Sequence, residues 1–348
     1  MLFLFFHIHL DGLLCLFYGK SVTHYRKEVE KVATIRDVAK LAGVSVATVS
    51  RVLNKKGYVH EETVKQVEEA IERLQYKPNA VAKSLFKKSS TMIALLVSDD
   101  SAPSFFELFS SIEQAAYEAG YQIVIGRVNG KASYVDTLLQ NNVAGFLVMN
   151  EVYEQVKKKI SSTPFVVLDG ELHNTYAAVR CCDYEGAKLA TEQLIKKGCR
   201  FLAHLRGPEH NEAMHERLEG FIDTAEYYNI PYRVVTSGLS VREGEQATIA
   251  MLQHAPYIDG IVACNDIVGI GALRAAHRLH LSVPDQLQLI GIDGIAAGEF
   301  LYPALTTVGQ PYGDKGTIAV HMLLRQMKEQ TEAVRRLRPV LIERETTR

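Results

Sequence analysis

A chain of 348 residues is too long for one hydrophobic core, since single cores rarely grow past about 250–300 residues. Its composition, 47% hydrophobic and 23% charged, excludes a disordered, collagenous or disulfide-scaffold protein. The net charge of −1 hides an asymmetry: residues 33–90 hold 11 Lys/Arg against 6 Asp/Glu, and the remainder holds 28 against 34. A basic head on an acidic body suits a polyanion met by the head alone, although a solvated charged face would give the same counts.

The chain opens with MLFLFFHIHLDGLLCLFYGK, apolar but interrupted by His7, His9, Asp11 and Gly12. A central Asp costs about 2.5–3.5 kcal/mol on insertion scales, which argues against a spanning helix. A secretory signal would export the basic head to no purpose. Lys27–Val29 can be encoded by AAGGAGGT, a strong bacterial ribosome-binding sequence, and Val32 stands where a GTG start would lie. Residues 1–31 are therefore expected to be untranslated leader.

The stretch TIRDVAKLAGVSVATVSRVLN follows from Thr34 to Asn54. Ile35, Val38, Ala39 and Ala42 repeat at the spacing of one buried helix face. Gly43 then breaks the pattern, and Ser45 can cap a second helix with Val46, Val49 and Val52–Leu53 inward. Val64, Val67, Ala70/Ile71 and Leu74 mark a third amphipathic helix. Two short helices joined at a glycine outline a helix-turn-helix, a pattern that ordinary helical hairpins share. In such a unit the second helix enters the major groove. Val46 and Ala47 are small enough to approach base edges, and Arg51 can reach a guanine or a phosphate. Thr34, Ser45, Thr48, Ser50 and Asn54 are short hydrogen-bonders suited to phosphate oxygens.

In YKPNAVAKSLFKKSS, Pro78 can start a helix of about eight residues, and isolated helices below about 12–15 residues are marginal in water. Such a helix orders only against a partner, its twin or nucleic acid. Lys83, Lys87 and Lys88 favour nucleic acid, with Leu85 placed as an apolar wedge between base steps. From Met92 onward apolar runs (MIALLVS, YQIVIG, VAGFLVM, PFVVLD, RFLAHL, DGIVACN, LQLIGID) alternate with helical stretches. Buried parallel strands in an α/β layer are predicted. Ligands bind beyond the carboxyl ends of such strands. Asp169, Asn265–Asp266 and Asp293 lie there; each alone reads as a helix cap, and several together as a site.

TIRDVAKLAGVSVATVSRVLN followed by YKPNAVAKSLFKK resembles the headpiece and hinge helix of the lactose/galactose repressor (LacI/GalR) family of bacterial transcription regulators. The likeness continues through SFFELFSSIEQAAYEAGY, RLEGF, CNDIVGIGALRAA, IGIDG, YPALTTVGQP and LIERET, and so spans nearly all of residues 33–348. It implies a helix-turn-helix head at 33–77, a hinge helix and linker at 78–90, and an effector and dimerisation domain at 91–348. That domain would have the fold of periplasmic sugar-binding proteins: two doubly wound parallel-sheet subdomains, with crossovers near 180, 295–312 and 335. By the same likeness Val46, Ala47 and Arg51 read operator DNA. Asn79 and Lys83 contact it, and Leu85 intercalates at the centre of a palindromic site. Phe106 would stack on a sugar ring, Asp169, Arg217, Asn265 and Asp293 would bond its hydroxyls, and Gln310 would contribute at a crossover. For Arg217 the competing reading is a surface helix charge.

The chain departs from the family pattern at Asp293–Gly294, at Leu239 where some relatives carry an aromatic wall, at KGCR (Lys197–Arg200), and in the short loop VNGKASYVD. The implied effector is a small sugar or sugar phosphate, a pentose such as ribose by preference. The implied assembly is a cytoplasmic, nucleoid-associated homodimer. Two rivals remain: a regulator using a phosphocarrier corepressor, and an exported sugar-binding protein with Cys15 as its anchor. The cysteines (Cys15, Cys181, Cys182, Cys199, Cys264) show no CxxC and no zinc-like His spacing, which suits buried thiols in a reducing cytosol. No nucleophile elbow, P-loop or metal signature is present, so no catalytic residue, cofactor, metal or membrane partner is expected.

Overall fold

A computed structural model describes residues 33–54, 57–76, 90–98, 104–128, 133–170, 176–209, 211–330 and 333–348. The expectations for residues 1–31 and for Asn79, Lys83 and Leu85 lie outside these. The chain divides after residue 86 into two units.

The first unit holds three helices, α1 (Ile35–Leu41), α2 (Val46–Asn54) and α3 (Glu61–Arg73). Thr34 starts α1 through a reciprocal cap with Asp37. Gly43 makes the turn in the left-handed region, φ +67°, which costs glycine no Cβ clash. Ser45 Oγ then accepts the Thr48 N–H at 3.1 Å, opening α2. Val38, Ala39, Val49, Val67 and Ala70 form the core of this small bundle. One expectation is corrected: Val46 does not face inward but is 42% exposed. It sits at the first position of α2, and only Val49 of that helix is fully covered.

The second unit begins with β1 (Met92–Val97), α4 (Phe105–Glu118), β2 (Gln122–Arg127), α5 (Ser133–Gln140), β3 (Gly145–Met149), α6 (Asn150–Ile160), β4 (Phe165–Leu168) and β5 (Ala178–Cys181). It continues through α7 (Asp183–Lys196), β6 (Leu202–Arg206), α8 (Glu212–Tyr227), β7 (Tyr232–Thr236), α9 (Val241–His254), β8 (Gly260–Ala263), α10 (Asp266–Arg278), β9 (Gln288–Asp293) and β10 (Thr306–Gly309). It closes with α11 (Tyr312–Gln326), β11 (Arg335–Leu337) and β12 (Val340–Ile342). Two six-stranded sheets result, ordered β11-β5-β4-β3-β1-β2 and β12-β10-β9-β8-β6-β7. Pairing is parallel throughout except between β10 and β12. The chain passes between the sheets after β5, after β10 and between β11 and β12.

Each sheet is covered on both faces, the reason its strands read as unbroken apolar runs. In β1, Ile93, Leu95 and Val97 pack with Leu108 and Ile112 of α4 and with Ala319 and Leu323 of α11. Ala94 and Leu96, on the opposite face, pack with Val152 and Val156 of α6. The second sheet packs likewise against α9 and α10 on one side and against α7 and α8 on the other. The short strands β5, β7, β10, β11 and β12 had no sequence signal. They are brief or at sheet edges, and carry polar residues such as Arg180, Arg233 and Thr306.

Two positions in the second lobe define testable sensitivities. A Cβ on Gly220 of α8 would run into the Tyr184 carbonyl of α7, so Gly220→Ala forces the two helices apart. A stability loss of about 1–3 kcal/mol is expected, read as a lowered urea midpoint. His204 of β6 is wholly buried and stacks on Phe221 at 5.1 Å between centroids. Burial pushes its imidazole down to about 3. The folded state therefore refuses a proton that the unfolded chain accepts near pH 6.5. His204 contributes full stability above that pH and loses it progressively as pH falls toward 3. Urea titrations of His204→Phe between pH 7 and 4 should show a shallower acid loss than the parent.

Candidate functional site

The site is built around one guanidinium. Arg217 lies midway along α8 and is only 5% exposed. Its Nε donates to Asp183 Oδ1 at 2.7 Å, its Nη1 to the Cys264 carbonyl at 2.6 Å and its Nη2 to Asp293 Oδ1 at 3.0 Å. Asp183 opens α7, Cys264 follows β8 and Asp293 ends β9. Three carboxyl-terminal strand or crossover positions are thus tied to one side chain. Burial opposes the Arg217 charge, but Asp183 and Asp293 outweigh it and hold the guanidinium protonated well above its ordinary range. For Asp293 burial prevails over the pull of Arg217, and its carboxyl sits above the usual range.

Gln310, at the second passage between lobes, donates from Nε2 to Asp183 Oδ1 at 3.0 Å. Its Oε1 is buried and finds no partner among the described residues. The Tyr312 hydroxyl, at the start of α11, donates to Asp293 Oδ1 at 3.1 Å. This joins the helix covering the first sheet to the end of the second sheet. Two more bridges cross between the lobes. The Ala296 N–H donates to Glu107 Oε1 of α4 at 3.2 Å, and Arg180 of β5 binds Glu212 at 3.3 Å and Glu216 at 2.6 Å on α8.

Beneath Asp293, Asp266 accepts from Gly294 N and Ile295 N, each at 2.8 Å, and from the Thr307 hydroxyl at 2.6 Å. These bonds hold the turn that presents Asp293. Burial, with the Asp293 charge nearby, pushes the Asp266 carboxyl up to about 7.

The sequence-nominated residues divide. Arg217, Asp293 and Gln310 come together in one buried cluster. Asn265 stands beside it, but its Oδ1 caps α10 through the Val268 N–H at 2.8 Å, as the cap reading anticipates. Asp169, at φ +58° after β4, pairs with Lys315 of α11. Phe106 is 73% exposed on the first turn of α4, outside the polar cluster. Asp183, Tyr312, Lys315, Arg180 and Glu107 were not singled out by their sequence, whereas Asp266 was noted beside Asn265 at its strand end. The only local signals are that Asp183 begins a helix straight after a strand and that Tyr312 follows Gln310–Pro311. The free cysteines Cys181, Cys199 and Cys264 are buried, which pushes each thiol up to about 12. Among the described residues no group of His, Cys, Asp and Glu could hold a metal ion. No described helix is long and apolar enough to cross a membrane.

In the head, Thr34, Ser45, Val46, Ala47 and Arg51 are exposed, and Thr48, Ser50 and Asn54 are half-buried. The Asn54 amide turns back to donate to the Ser50 carbonyl at 2.8 Å. The outward face of α2 is thus small residues with one long cation, the surface a helix needs to lie in a groove.

Residues 34–79 match the model of bacterial regulatory proteins of the lacI family, and residues 191–347 match a periplasmic binding protein-like domain. The ribose operon repressor of Halalkalibacterium halodurans is 40% identical over 91% of this chain and 98% of its own length. The chain belongs to the LacI family of bacterial regulatory proteins. Among its LacI-family relatives, the ribose operon repressor of Bacillus subtilis is 35% identical over 91% of this chain and 99% of its own. The lac repressor dimer bound to operator and the anti-inducer ONPF matches with a TM-score of 0.83 at 27% identity, covering 91% and 99% of the two chains. A LacI family transcriptional regulator from Enterococcus faecium with bound ribose gives 0.65 at 29% identity over 74% and 98%. The twin-sheet LacI-family fold and the helix-turn-helix head are therefore those of a DNA-binding regulator.

In this LacI-family site the carboxylate at 266 is tested by Asp266→Asn and Asp266→Ala. The amide oxygen can still accept from Gly294 N and Ile295 N while its NH2 donates to the Thr307 hydroxyl, so the first variant should lose little. Asp266→Ala leaves the inward donors unpaired, at a cost of about 1–3 kcal/mol. Thermal unfolding should register that loss.

Proposed function

We propose that this LacI-family regulator is a dimeric repressor of a sugar-utilisation operon, whose grip on a palindromic operator is governed by a small sugar, a pentose by preference. The observation that carries the reading is the Arg217 cluster at the carboxyl ends of the second sheet, on the same chain as an exposed groove-reading helix. Carboxylate, amide and guanidinium groups make strong, directional bonds to hydroxyls. They penalise a missing hydroxyl because they are then left unpaired. The two ribose operon repressors among the relatives, and the Enterococcus faecium regulator with bound ribose, support the pentose.

In this reading each head docks α2 in one half-site, with Val46, Ala47 and Arg51 toward the bases and Thr34, Ser45, Thr48, Ser50 and Asn54 toward phosphates. Asn79, Lys83 and Leu85 act where the two half-sites meet. The sugar enters between the lobes and changes the bridges at Tyr312–Asp293, Glu107–Ala296 and Arg180–Glu216. For the effector to act at all, it must bind the two arrangements of the lobes with different free energies, typically about 1–3 kcal/mol apart.

Fluorescence anisotropy with a palindromic operator duplex tests this. D-Ribose should lower operator affinity by about 5–150-fold. Affinity unmoved by any pentose would overturn the effector assignment. Leu85→Ala should weaken operator binding while ribose affinity, read by calorimetry, stays as in the parent.

A further inference from the structure

A cavity of about 550 Å³ lies on the second lobe between α9 and α10. Arg242 and Glu245 of α9 and Arg274 and Arg278 of α10 line it, with Val241 and Ile249 as its apolar wall. The two helices meet here backbone to backbone. A Cβ on Gly271 would run into the Val241 carbonyl, and one on Gly244 would stand 2.8 Å from the Val268 carbonyl oxygen. That approach buries Glu245, the residue after Gly244, to 6% exposure.

Arg274 and Arg278 stand one turn apart on the same face of α10, and both turn to this carboxylate. Arg274 Nε donates to Oε2 at 3.2 Å, and Arg278 Nε lies 2.7 Å from Oε1. Each arginine thus spends its inner nitrogen on Glu245. The outer amino groups make no hydrogen bond among the described residues, and the two side chains are 57% and 62% exposed. Arg242 is exposed and has no ion pair among the described residues. Three guanidiniums therefore share one carboxylate, an excess of two positive charges.

An ion pair serving stability alone needs one cation. Like charges gathered in a cleft with a low-dielectric wall focus a field that draws anions. The free edge of a guanidinium offers paired N–H groups that match the oxygens of a phosphate or carboxylate. A phosphate monoester carries about −1.5 to −2 charges at neutral pH on three acceptor oxygens, which answers both the excess charge and the three forks. A single carboxylate answers one fork. The volume lies in the range of about 300–1,000 Å³ usual for small-molecule sites, so Val241 and Ile249 can cover an organic remainder.

We infer that the α9–α10 cleft is a second ligand site, which takes the phosphate group of a small phosphorylated metabolite on Arg242, Arg274 and Arg278. Glu245 is a positioning residue that holds two of the three in place. The site uses no residue of the Arg217 cluster. Its helix α10 begins at Asp266, which holds the turn behind Asp293, so an anion fastening the last turn of α10 to α9 acts on an element that serves the sugar cluster.

Calorimetry on the full-length protein, with glycerol 3-phosphate, inorganic phosphate and acetate as separate titrants, tests this. Glycerol 3-phosphate should bind at one site per chain and more tightly than either other anion. Arg242→Ala, which breaks no ion pair in the structure, and Arg278→Ala should each weaken it by at least about tenfold, with D-ribose affinity as in the parent. No binding by the parent overturns the inference. Binding left unchanged in both variants places the anion elsewhere, as on the basic head, and overturns it too. Tighter binding of inorganic phosphate overturns the assignment to a monoester. If the parent ignores all three anions and the variants turn monomeric in sedimentation velocity, the arginines hold a second copy of the chain and the inference fails.

Discussion

The second unit is organised around the buried charge of Arg217. A guanidinium taken out of water is tolerated only when its donors are met and its charge is answered, and here both conditions draw on separate parts of the chain. Asp183 arrives from the start of α7, the Cys264 carbonyl from the end of β8, and Asp293 from the end of β9. Register in the second sheet, the close approach of α7 to α8 and the first passage between lobes must all be in place before the three partners coincide. The cluster is thus a product of the fold and a constraint on it.

The bridges between the lobes share this chemistry. Tyr312 reaches from the helix over the first sheet to the same Asp293 oxygen that Arg217 uses. Arg180 reaches from β5 to two glutamates of α8, the helix that carries Arg217. A ligand competing for any of these partners acts on the whole set, because a hydrogen bond in a buried network polarises its neighbours and few donors are spare. Coupling between a small molecule and the separation of the lobes needs no longer path than this.

Asn265 illustrates how cap and site readings coexist. Its side chain ends a strand and begins a helix, and the Val268 N–H uses the amide oxygen. The cap fixes the first turn of α10 and so places Asp266, which in turn fixes the loop behind Asp293. Asp266 thereby acts on Asp293 through a backbone turn.

Local pattern was enough for a good deal. Helical spacing in residues 35–74 defined the three helices of the head, and unbroken apolar runs defined the seven longest-signalled strands, since burial on both faces writes itself into composition. The place of Asp293 at a strand end was also legible, while Arg217 and Gln310 were nominated only through the family resemblance carried by RLEGF and YPALTTVGQP. What the chain could not state locally is who meets whom. Arg180 and Lys315 are buried cations inside a strand and a helix, and both look like surface charges until partners from distant segments close around them. Val46 fits an inward periodicity, yet at the first position of α2 it stands 42% exposed. Burial, charge pairing and the ends that face each other are properties of tertiary contact, and only the assembled fold decides them.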